Sequence, residues 1–354
     1  MYREEYAYEL PSEKIALYPV EPRDSCNLII IHKDSGEIVH RKFSDICDYL
    51  EPGDCIVLND SKVQPVRLIL RRNTGGIVEI LLTHRLSEGV WTSLARPSKR
   101  IKIGEKLQDE VGQSIAEVIE KKEGHLILKF LVSESTIFDK LGLAPLPAYI
   151  DRRPEKKDLE TYQTVYARNG FSIAAPTAGL HFTVDLLKKI RDKGVGIAYI
   201  QLDVGEGTFR PIATDNVEEH VMLSEYFRIT RYNAELINKA RRVIAVGTTV
   251  TRTLESFSQR NVIAQTGETG LFIYPGYKFK NVDALLTNFH QPGSTPLLLT
   301  AAFCGKDLLF HAYSEALKRD YRFLSYGDGM LIIPQKKTSV SFEDPVQFSR
   351  NISS

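Results

Sequence analysis

The sequence lacks the cysteine and histidine patterns of a disulfide-rich or zinc-binding protein. Its 354 residues contain four cysteines, no Cys-x-x-Cys pair and no His-x-x-x-His pair. Few, scattered cysteines are typical of reduced, mostly buried thiols in a cytosolic protein. We therefore expect a cytoplasmic location and no metal.

Long apolar runs and a leader-like segment are also lacking. The first residues, MYREEYAYELPSEK, are charged throughout, and the best apolar run, PLLLTAAFCG, is about half of the ~20 residues that span a membrane. No G-x-G-x-x-G, P-loop or G-x-S-x-G motif occurs. A net charge of +1 neither predicts nor excludes a nucleic-acid partner, since local clustering of charge decides binding. These absences predict no membrane association and none of the common nucleotide-binding or hydrolase folds.

The hydrophobic pattern changes twice along the chain. Between residues 61 and 140, short β-type segments recur with glycine-containing turns between them, which predicts a small antiparallel β-barrel. On both sides, strand-length apolar runs alternate with helical patterns near residues 185–193, 233–241, 250–258 and 306–319. Such alternation predicts an α/β fold with a mostly parallel sheet and flanking helices. We predict one discontinuous α/β domain, residues 1–60 and 141–354, with the barrel of residues 61–140 inserted into it.

Five loops rich in glycine and small polar residues accompany the predicted α/β strands. They cover residues 172–182, 202–211, 246–252, 285–296 and 324–330. The first follows the short segment FSIA, and the other four are each predicted to follow a strand directly. Ligands of parallel α/β sheets bind beyond the carboxyl ends of the strands, so five such loops predict a binding site at that edge.

Two of these loops carry a histidine. Taken singly, His181 or His290 is more typical of a structural histidine bonded to the backbone. Two histidines at one sheet edge, with Glu225 and Asp328 in neighbouring segments, favour general acid–base chemistry. The stretch AAPTAGLHFT, residues 174–183, has little side-chain bulk. Either a ligand lies against its backbone, or it is a tight strand-to-helix connection with His181 buried.

Ten motifs occur in order between about residues 8 and 332. They are LPSEKIALYPVEPRDSCNLII, PGDCIVLNDSKVQPVRL, PLPAYI, YQTVYA, AAPTAGLHFT, VGEGTFRP, VIAVGTTVTRTLES, FIYPGY, DALLTNFHQPGST and YRFLSYGDGMLI. With these motifs the sequence resembles the S-adenosylmethionine:tRNA ribosyltransferase-isomerase family of queuosine biosynthesis. Ten collinear motifs are far more specific than any single one.

The resemblance implies an α/β domain with an inserted antiparallel barrel. It also implies transfer and isomerisation of the ribosyl moiety of S-adenosylmethionine onto 7-aminomethyl-7-deazaguanine at the tRNA wobble position. The products are epoxyqueuosine-tRNA, adenine and methionine. S-adenosylmethionine is then a ribosyl-donor substrate, the tRNA is the macromolecular partner, and we expect a monomer that needs no metal.

The implied reaction needs a base to remove a proton beside the sulfonium and an acid to assist the departure of adenine. We predict His181 and His290 for proton transfer, with Glu225 or Asp328 orienting one of them or neutralising the sulfonium. Asn59, Thr248 and Arg252 are candidates for ribose or carboxylate contacts. The other predicted substrate-binding residues are Ala175, Pro176, Thr177, Gly179, Gly205, Gly207, Thr208, Asn288 and Tyr326.

Four positions depart from the family pattern. Asp203 and Leu223 stand where the family usually has histidine, Glu206 stands where a small or apolar residue is usual, and Gly293 replaces a polar or charged residue. These changes remove two imidazoles and add two carboxylates. They keep two alternatives open: a related transferase with a different acceptor, and a non-catalytic RNA- or nucleoside-binding paralogue.

Overall fold

A computed structural model describes residues 1–122, 124–209, 212, 214–258 and 261–334, with only the backbone described at residues 208 and 209. Four strands come first: β1 (Asn27–His32), β2 (Ile38–Lys42), β3 (Asp54–Asn59) and β4 (Ser61–Val63). The next six are β5 (Arg67–Arg72), β6 (Ile77–Ser87), β7 (Val90–Arg96), β8 (Lys106–Gln108), β9 (Ser114–Lys122) and β10 (His125–Phe130).

The remaining described elements alternate between helix and strand. The strands are β11 (Asn169–Ser172), β12 (Gly196–Leu202), β13 (Glu225–Ile229), β14 (Arg242–Val246), β15 (Gln265–Thr269), β16 (Ala284–Asn288) and β17 (Gly329–Ile333). The α-helices are α1 (Asp158–Thr161), α2 (Val184–Asp192), α3 (Arg231–Asn238), α4 (Thr248–Glu255), α5 (Thr295–Cys304) and α6 (Lys306–Lys318).

In the described part of the chain, nine strands form one large mixed sheet in the order β15-β13-β12-β3-β14-β16-β17-β1-β2. The central strands β12, β3, β14 and β16 are parallel, and Ile56 of β3 lies between Ile197 and Ile244. β17 and β1 form a second parallel pair that runs opposite to β16. Antiparallel strands β13, β15 and β2 complete the two edges. The predicted α/β class, a mostly parallel sheet with flanking helices, is confirmed.

Helices cover both faces of this sheet. Every residue of β3, β16 and β17 is buried, as expected for strands that are covered on both sides. On one face, α3 to α6 contribute side chains such as Val250 and Leu309 to the core. On the other face, α2 and the 3-10 helix Phe43–Tyr49 contribute Leu186 and Phe43. The large sheet is therefore the middle layer of three.

Four of these helices, α2, α3, α4 and α6, match the predicted helical segments to within three residues at each end. Helix α5 is not predicted, because its apolar residues surround the helix and show no helical period. Its successive residues Leu297 to Ala301 are all buried. None of the helices in the described ranges is long and apolar enough to cross a bilayer.

Strands β5 to β10 close into an antiparallel barrel in the order β10-β7-β6-β5-β8-β9. Alternate residues point inward, so Leu68 and Leu70 of β5 and Ile80 of β6 are buried. The chain leaves the large sheet before β4 and returns through β11, which pairs in parallel with β4. The predicted inserted barrel is confirmed, while its exact boundaries at residues 61 and 140 remain a prediction.

The loops that contain the predicted site residues lie along one side of the large sheet, the edge at which its parallel central strands end. The carboxyl ends of β12, β3, β14 and β16 lie there, because these strands are parallel. The segment 324–330 is an exception to the prediction, because it leads into β17 instead of following a strand. Since β17 runs opposite to β16, Gly329 pairs with Asn288 and the start of β17 lies at the same edge.

Candidate active site

A cavity of about 250 Å³, called the edge cavity below, opens at this edge of the sheet. All five predicted loops contribute to its lining, together with residues 147–149 and Tyr162. The described lining contains no Asp, Glu, Lys or Arg side chain. Six predicted site residues line it: Ala175, Pro176, Thr177, Thr248, Asn288 and His290. The edge cavity therefore offers hydroxyl, amide and imidazole groups and no formal charge.

Helices α4 and α5 both begin at the edge cavity. Gly247 has φ of 92°, a conformation that favours glycine and lets the chain turn directly from β14 into α4. Thr248 at the start of α4 and Pro296 in the first turn of α5 line the cavity. The first N–H groups of a helix lack intrahelical acceptors and carry the positive end of its dipole. This part of the wall suits a carboxylate or another electron-rich group.

The side chain of Asn288 is fixed by hydrogen bonds on both of its polar atoms. Its Oδ1 accepts from the Thr177 hydroxyl at 2.9 Å. Its Nδ2 lies 3.0 Å from Nε2 of His181 and donates to the Leu324 carbonyl at 3.3 Å. Since the carbonyl can only accept, Nδ2 is the amide nitrogen and also donates to His181. Asn288 thus presents a single orientation to the cavity.

His181 lies behind Asn288 and is 5% exposed. Burial, with smaller contributions from Arg322 and Arg23, lowers the pKa of His181 to about 3, so the ring is neutral at pH 7. Because Nε2 accepts from Asn288, Nδ1 carries the proton and faces Cys26 Sγ at 3.2 Å. Both ring nitrogens are therefore engaged within the protein. His181 acts on the cavity through Asn288.

His290 lines the edge cavity itself. Its Nε2 lies 2.9 Å from the Thr287 hydroxyl. Its backbone is held by two tyrosines: the N–H donates to Tyr313 at 2.9 Å, and the carbonyl accepts from Tyr8 at 2.5 Å. Burial lowers the pKa of His290 to about 3, so this imidazole is also neutral at pH 7. A neutral imidazole that faces a cavity can accept a proton.

A larger space of about 890 Å³, called the barrel cleft below, separates the barrel from the sheet edge. Its barrel wall is basic and aromatic and consists of Thr83, His84, Arg85, Trp91, Thr92, Lys122, His125 and Ile127. Its opposite wall includes the carboxylates of Asp203, Glu206, Glu225 and Glu268. His125 Nε2 lies 2.7 Å from Glu206 Oε2 and connects the two walls. Val204 lines both the barrel cleft and the edge cavity, so the two spaces adjoin.

The predicted residues Gly205, Gly207 and Glu225 line the barrel cleft. Thr208 lies in the 3-10 helix Glu206–Phe209, and its side chain is outside the described part of the structure. A Cβ at Gly207 would lie 3.3 Å from Cβ of Leu223, so the two segments approach closely. The structure therefore places nine of the predicted residues along the walls of two adjoining spaces, six at the edge cavity and three at the barrel cleft.

Arg252 and Glu225 form a buried ion pair below the barrel cleft. Glu225 Oε2 accepts from Arg252 Nη1 at 2.5 Å, and Oε1 accepts from the N–H of Gly205 at 3.0 Å. The guanidinium also donates to the carbonyls of Leu271 and Thr269. Arg252 thus joins α4 to β13 and β15, and Glu225 joins the loop after β12 to the same ion pair. With these contacts Arg252 supports the wall of the site, and its predicted contact with ribose or carboxylate stays a prediction.

Asn59 and Tyr326 have their polar atoms engaged by protein groups. Asn59 exchanges hydrogen bonds with both the N–H and the carbonyl of Leu202, and it also accepts from the N–H of Ser61. The Tyr326 hydroxyl lies 3.3 Å from Asp158 Oδ1. Both side chains are buried. These contacts stabilise the ends of the strands and loops that shape the edge cavity.

Asp328 is likewise engaged by backbone groups. It accepts hydrogen bonds from the N–H groups of Asn27 and Arg322 and from the Asn27 side chain. Burial raises the pKa of its carboxyl group. The carboxylate fixes the turn before β17 against the start of β1. The groups that orient the two histidines are Asn288 and Thr287 instead of Asp328.

A neighbouring protein side chain leaves no room for a Cβ atom at Gly179. A Cβ at this position would overlap the Tyr166 hydroxyl and would lie 3.1 Å from Thr164 Cγ2. We expect Gly179→Ala to lower the free energy of unfolding by about 1–3 kcal/mol, the usual cost of overpacking a core. The double variant Gly179→Ala/Tyr166→Phe should recover most of this loss, because the overlapping oxygen is removed. Urea denaturation measures the free energy of unfolding of the single and the double variant. Unchanged stability with lost substrate binding would instead show that a ligand keeps Gly179 small.

The site residues predicted from the sequence omit several residues that line the edge cavity. Tyr149, Tyr162, Thr287 and Ser325 line the edge cavity. Tyr162 belongs to the YQTVYA motif and Ser325 to YRFLSYGDGMLI, so the motifs include these residues without showing what they contact. Tyr149 and Tyr162 come from segments that follow no strand of the large sheet. Only the tertiary path of the chain brings them to the cavity.

This fold and this pair of spaces define a class of protein: an α/β protein with a cavity at one edge of its sheet and a cleft between that edge and an inserted barrel. A family model described as "Queuosine biosynthesis protein" matches residues 3–332. The chain belongs to this family.

Curated relatives cover almost the whole chain. A Fusobacterium nucleatum protein is 51% identical over 341 residues, 94% of this chain and 97% of its own length. A Thermotoga petrophila protein is 48% identical over 334 residues, 93% of this chain and 99% of its own. Both are named S-adenosylmethionine:tRNA ribosyltransferase-isomerase. The crystal structure of the S-adenosylmethionine tRNA ribosyltransferase of Thermotoga maritima is similar, with a TM-score of 0.53, 40% identity, and coverage of 93% of this chain and 100% of that one.

Proposed function

We propose that this chain is an S-adenosylmethionine:tRNA ribosyltransferase-isomerase. It transfers and isomerises the ribosyl moiety of S-adenosylmethionine onto 7-aminomethyl-7-deazaguanine at the wobble position of a tRNA and releases adenine and methionine. The observation that supports this most is the adjacency of two unlike spaces that share Val204. A reaction between a small donor and a base carried on a large RNA needs two sites of this kind side by side.

The edge cavity is the proposed donor site. Its uncharged lining suits adenine and ribose, whose polar groups are neutral. The start of α4 at Thr248 suits the carboxylate of the methionyl group, because helix N-termini bind anions. The cationic sulfonium then lies towards Val204 and the carboxylates of the adjoining barrel cleft.

His290 is the proposed proton-transfer residue. It faces the edge cavity and is neutral at pH 7, the form that takes a proton from the carbon beside the sulfonium, and its pKa of about 3 makes it a weak base that readily gives the proton up again. The imidazolium formed in this step can then deliver that proton to the departing adenine. His181 and Thr177 hold Asn288 in one orientation against the same ligand. Since the sulfonium itself activates the donor, this chemistry requires no metal.

The barrel cleft is the proposed acceptor site. Arg85 and Lys122 on the barrel wall suit phosphate contacts. The carboxylates opposite suit the aminomethyl group of the acceptor base. We propose that the enzyme acts on its tRNA in the cytoplasm as a monomer.

A second candidate is a transferase of the same donor with a different acceptor. The observation that favours it is the location of three of the four family departures: Asp203, Glu206 and Leu223 line the barrel cleft, whereas the fourth, Gly293, lies in a loop that lines the edge cavity. Changes concentrated on the acceptor side would alter which base is modified more than they alter the use of the donor.

Product analysis tests the proposed function. The protein is incubated with S-adenosylmethionine and tRNA that carries 7-aminomethyl-7-deazaguanine, and adenine, methionine and the digested tRNA nucleosides are quantified by mass spectrometry. We expect equal amounts of adenine, methionine and epoxyqueuosine, and none of them with unmodified tRNA. Donor turnover with another tRNA alone would favour the second candidate. Binding without release would identify a non-catalytic paralogue and contradict the proposal.

A further inference from the structure

A loop closes one end of the barrel and carries three exposed basic side chains. Residues 97–105, called the barrel-end loop below, connect β7 to β8, which lie on opposite sides of the closed barrel. The loop therefore crosses the opening of the barrel. Ile101 in its middle is 2% exposed and belongs to the barrel core. Because Ile101 points into the barrel, its neighbours Lys99, Arg100 and Lys102 are left exposed.

Side chains of the barrel hold the backbone of this loop in place. Arg72 Nη2 donates to the carbonyl of Arg100 at 2.7 Å. Lys121 Nζ donates to the carbonyls of Ser98 and Ile101 at 3.2 and 2.9 Å. The exposed basic side chains therefore extend from a fixed backbone. A partner that binds them does not have to order the loop, which lowers the entropic cost of binding.

The three basic side chains have no acidic partner in the part of the chain that the structure describes. No ion pair among those residues includes Lys99, Arg100 or Lys102. Glu105 of the same loop is held by Arg72, with Oε1 and Nε 2.8 Å apart. The barrel-end loop thus exposes positive charge that the neighbouring protein groups do not neutralise by direct contact.

Another basic segment, residues 152–157, differs in this respect. Arg152 donates two hydrogen bonds to Asp158, at 2.6 and 2.7 Å. Lys157 Nζ lies 2.7 Å from Glu21 Oε1. Basic residues that follow each other in the sequence can therefore be bound by acidic groups of the chain, and the structure shows that those of the barrel-end loop are not.

Strand β9 connects the barrel-end loop to the barrel cleft. Lys121 donates to the loop, and the next residue, Lys122, lines the cleft. His125, which pairs with Lys122 in the β-ladder, lines the cleft as well. The proposed acceptor base in this cleft belongs to an RNA strand, so the phosphates on either side of the base must pass along the outside of the cleft.

We infer that the barrel-end loop binds backbone phosphates of the tRNA next to the wobble nucleotide. This inference rests on the proposed function. Lysine and arginine side chains neutralise phosphates and release their counterions, which supplies most of the affinity that does not depend on sequence. Such contacts position the RNA and do not read its bases. The loop is therefore an anchoring surface for the RNA backbone beside the acceptor site.

The test variant is Lys99→Gln/Arg100→Gln/Lys102→Gln, called the loop variant below. It removes three positive charges and keeps Ile101, which anchors the loop in the barrel core. The replaced side chains are exposed and line neither the edge cavity nor the barrel cleft. We expect the loop variant to unfold within a few degrees of wild type and to bind S-adenosylmethionine with wild-type affinity.

Helix α2 offers a matched control. Lys188→Gln/Lys189→Gln/Arg191→Gln removes the same charge from three exposed positions of this helix. The helix packs against the large sheet through residues such as Ile190, and the three side chains line neither of the two spaces. This control variant has the same net charge as the loop variant, so it separates a local contact from the effect of net charge.

The measurement is fluorescence anisotropy of labelled tRNA, with and without 7-aminomethyl-7-deazaguanine, over a series of salt concentrations. At about 0.1 M salt we expect the loop variant to bind both tRNAs about tenfold to hundredfold more weakly than wild type. The plot of log affinity against log salt concentration should become shallower by about two to three, because about one unit of slope is lost for each phosphate contact removed. The control variant should bind both tRNAs as wild type does.

Wild-type affinity and slope in the loop variant would overturn the inference and leave the proposed function intact, provided that wild type still releases adenine with the modified tRNA. Equal weakening in the control variant would also overturn it, because the effect would then come from net charge. Weaker binding with an unchanged slope would contradict phosphate contacts. A wild-type protein that neither binds tRNA nor releases adenine would overturn the proposed function together with this inference.

Discussion

Turnover by His290→Asn is expected to fall by about 10²–10⁴-fold, the usual effect of losing a general acid–base group. The ring faces the edge cavity, is neutral at pH 7, and has Thr287 as its hydrogen-bond partner. Its loss removes few contacts from the core, so the unfolding temperature should stay within a few degrees of wild type. Single-turnover release of adenine and thermal denaturation measure the two effects on one purified variant.

His181→Asn is the control for this prediction. His181 is buried between Asn288 and Cys26, so its replacement leaves a buried amide without one acceptor. We expect a loss of about 1–3 kcal/mol in the free energy of unfolding, with turnover reduced less than in His290→Asn. A stable His181→Asn protein that is inactive, beside an active His290→Asn protein, would assign proton transfer to His181 instead.

Arg252→Met is expected to lower the free energy of unfolding by about 3–5 kcal/mol, because it leaves the Glu225 carboxylate buried without its guanidinium. Glu225 and Arg252 are nearly inaccessible, with side-chain exposures of 3% and 9%. The same substitution frees the carbonyls of Leu271 and Thr269 from their donor. Guanidinium chloride denaturation measures the loss.

The double variant Arg252→Met/Glu225→Gln separates charge from packing. Neutralising Glu225 removes the charge that has lost the Arg252 guanidinium and keeps a side chain that can still accept from the Gly205 N–H, so we expect it to recover part of the lost stability. If Arg252→Met alone is as stable as wild type but binds S-adenosylmethionine poorly, Arg252 contacts the substrate as the sequence predicts and does not act as a support for the wall of the site.

Much of the fold is predictable because its strands and helices follow simple periods. Strands β5 to β10 alternate inward and outward residues, and β3 and β16 are short apolar runs next to amphipathic helices. Helix α5 is not predicted, because residues Leu297 to Ala301 are all buried and their apolar pattern therefore shows no helical period. The position of the segment before β17 is also not predicted, because the sequence does not show that β17 runs opposite to β16.

The candidate site is predictable in location and less so in detail. Glycine and small polar residues after strands indicate the correct edge, and Thr177, Asn288 and His290 line the cavity there. A charged residue at such an edge can face a ligand or a protein group. Arg252 and Asp328 contact protein groups in this structure, and neither contact has a local signal in the sequence.

A crystal structure of this protein with S-adenosylmethionine would test the proposed donor site most directly. We predict that the donor occupies the edge cavity, with adenine and ribose against Tyr162 and Ser325 and the methionyl carboxylate at the start of α4 near Thr248. The sulfonium should lie towards Val204, with His290 within reach of the adjacent carbon. A donor bound wholly in the barrel cleft, or away from the sheet edge, would contradict the proposed donor site.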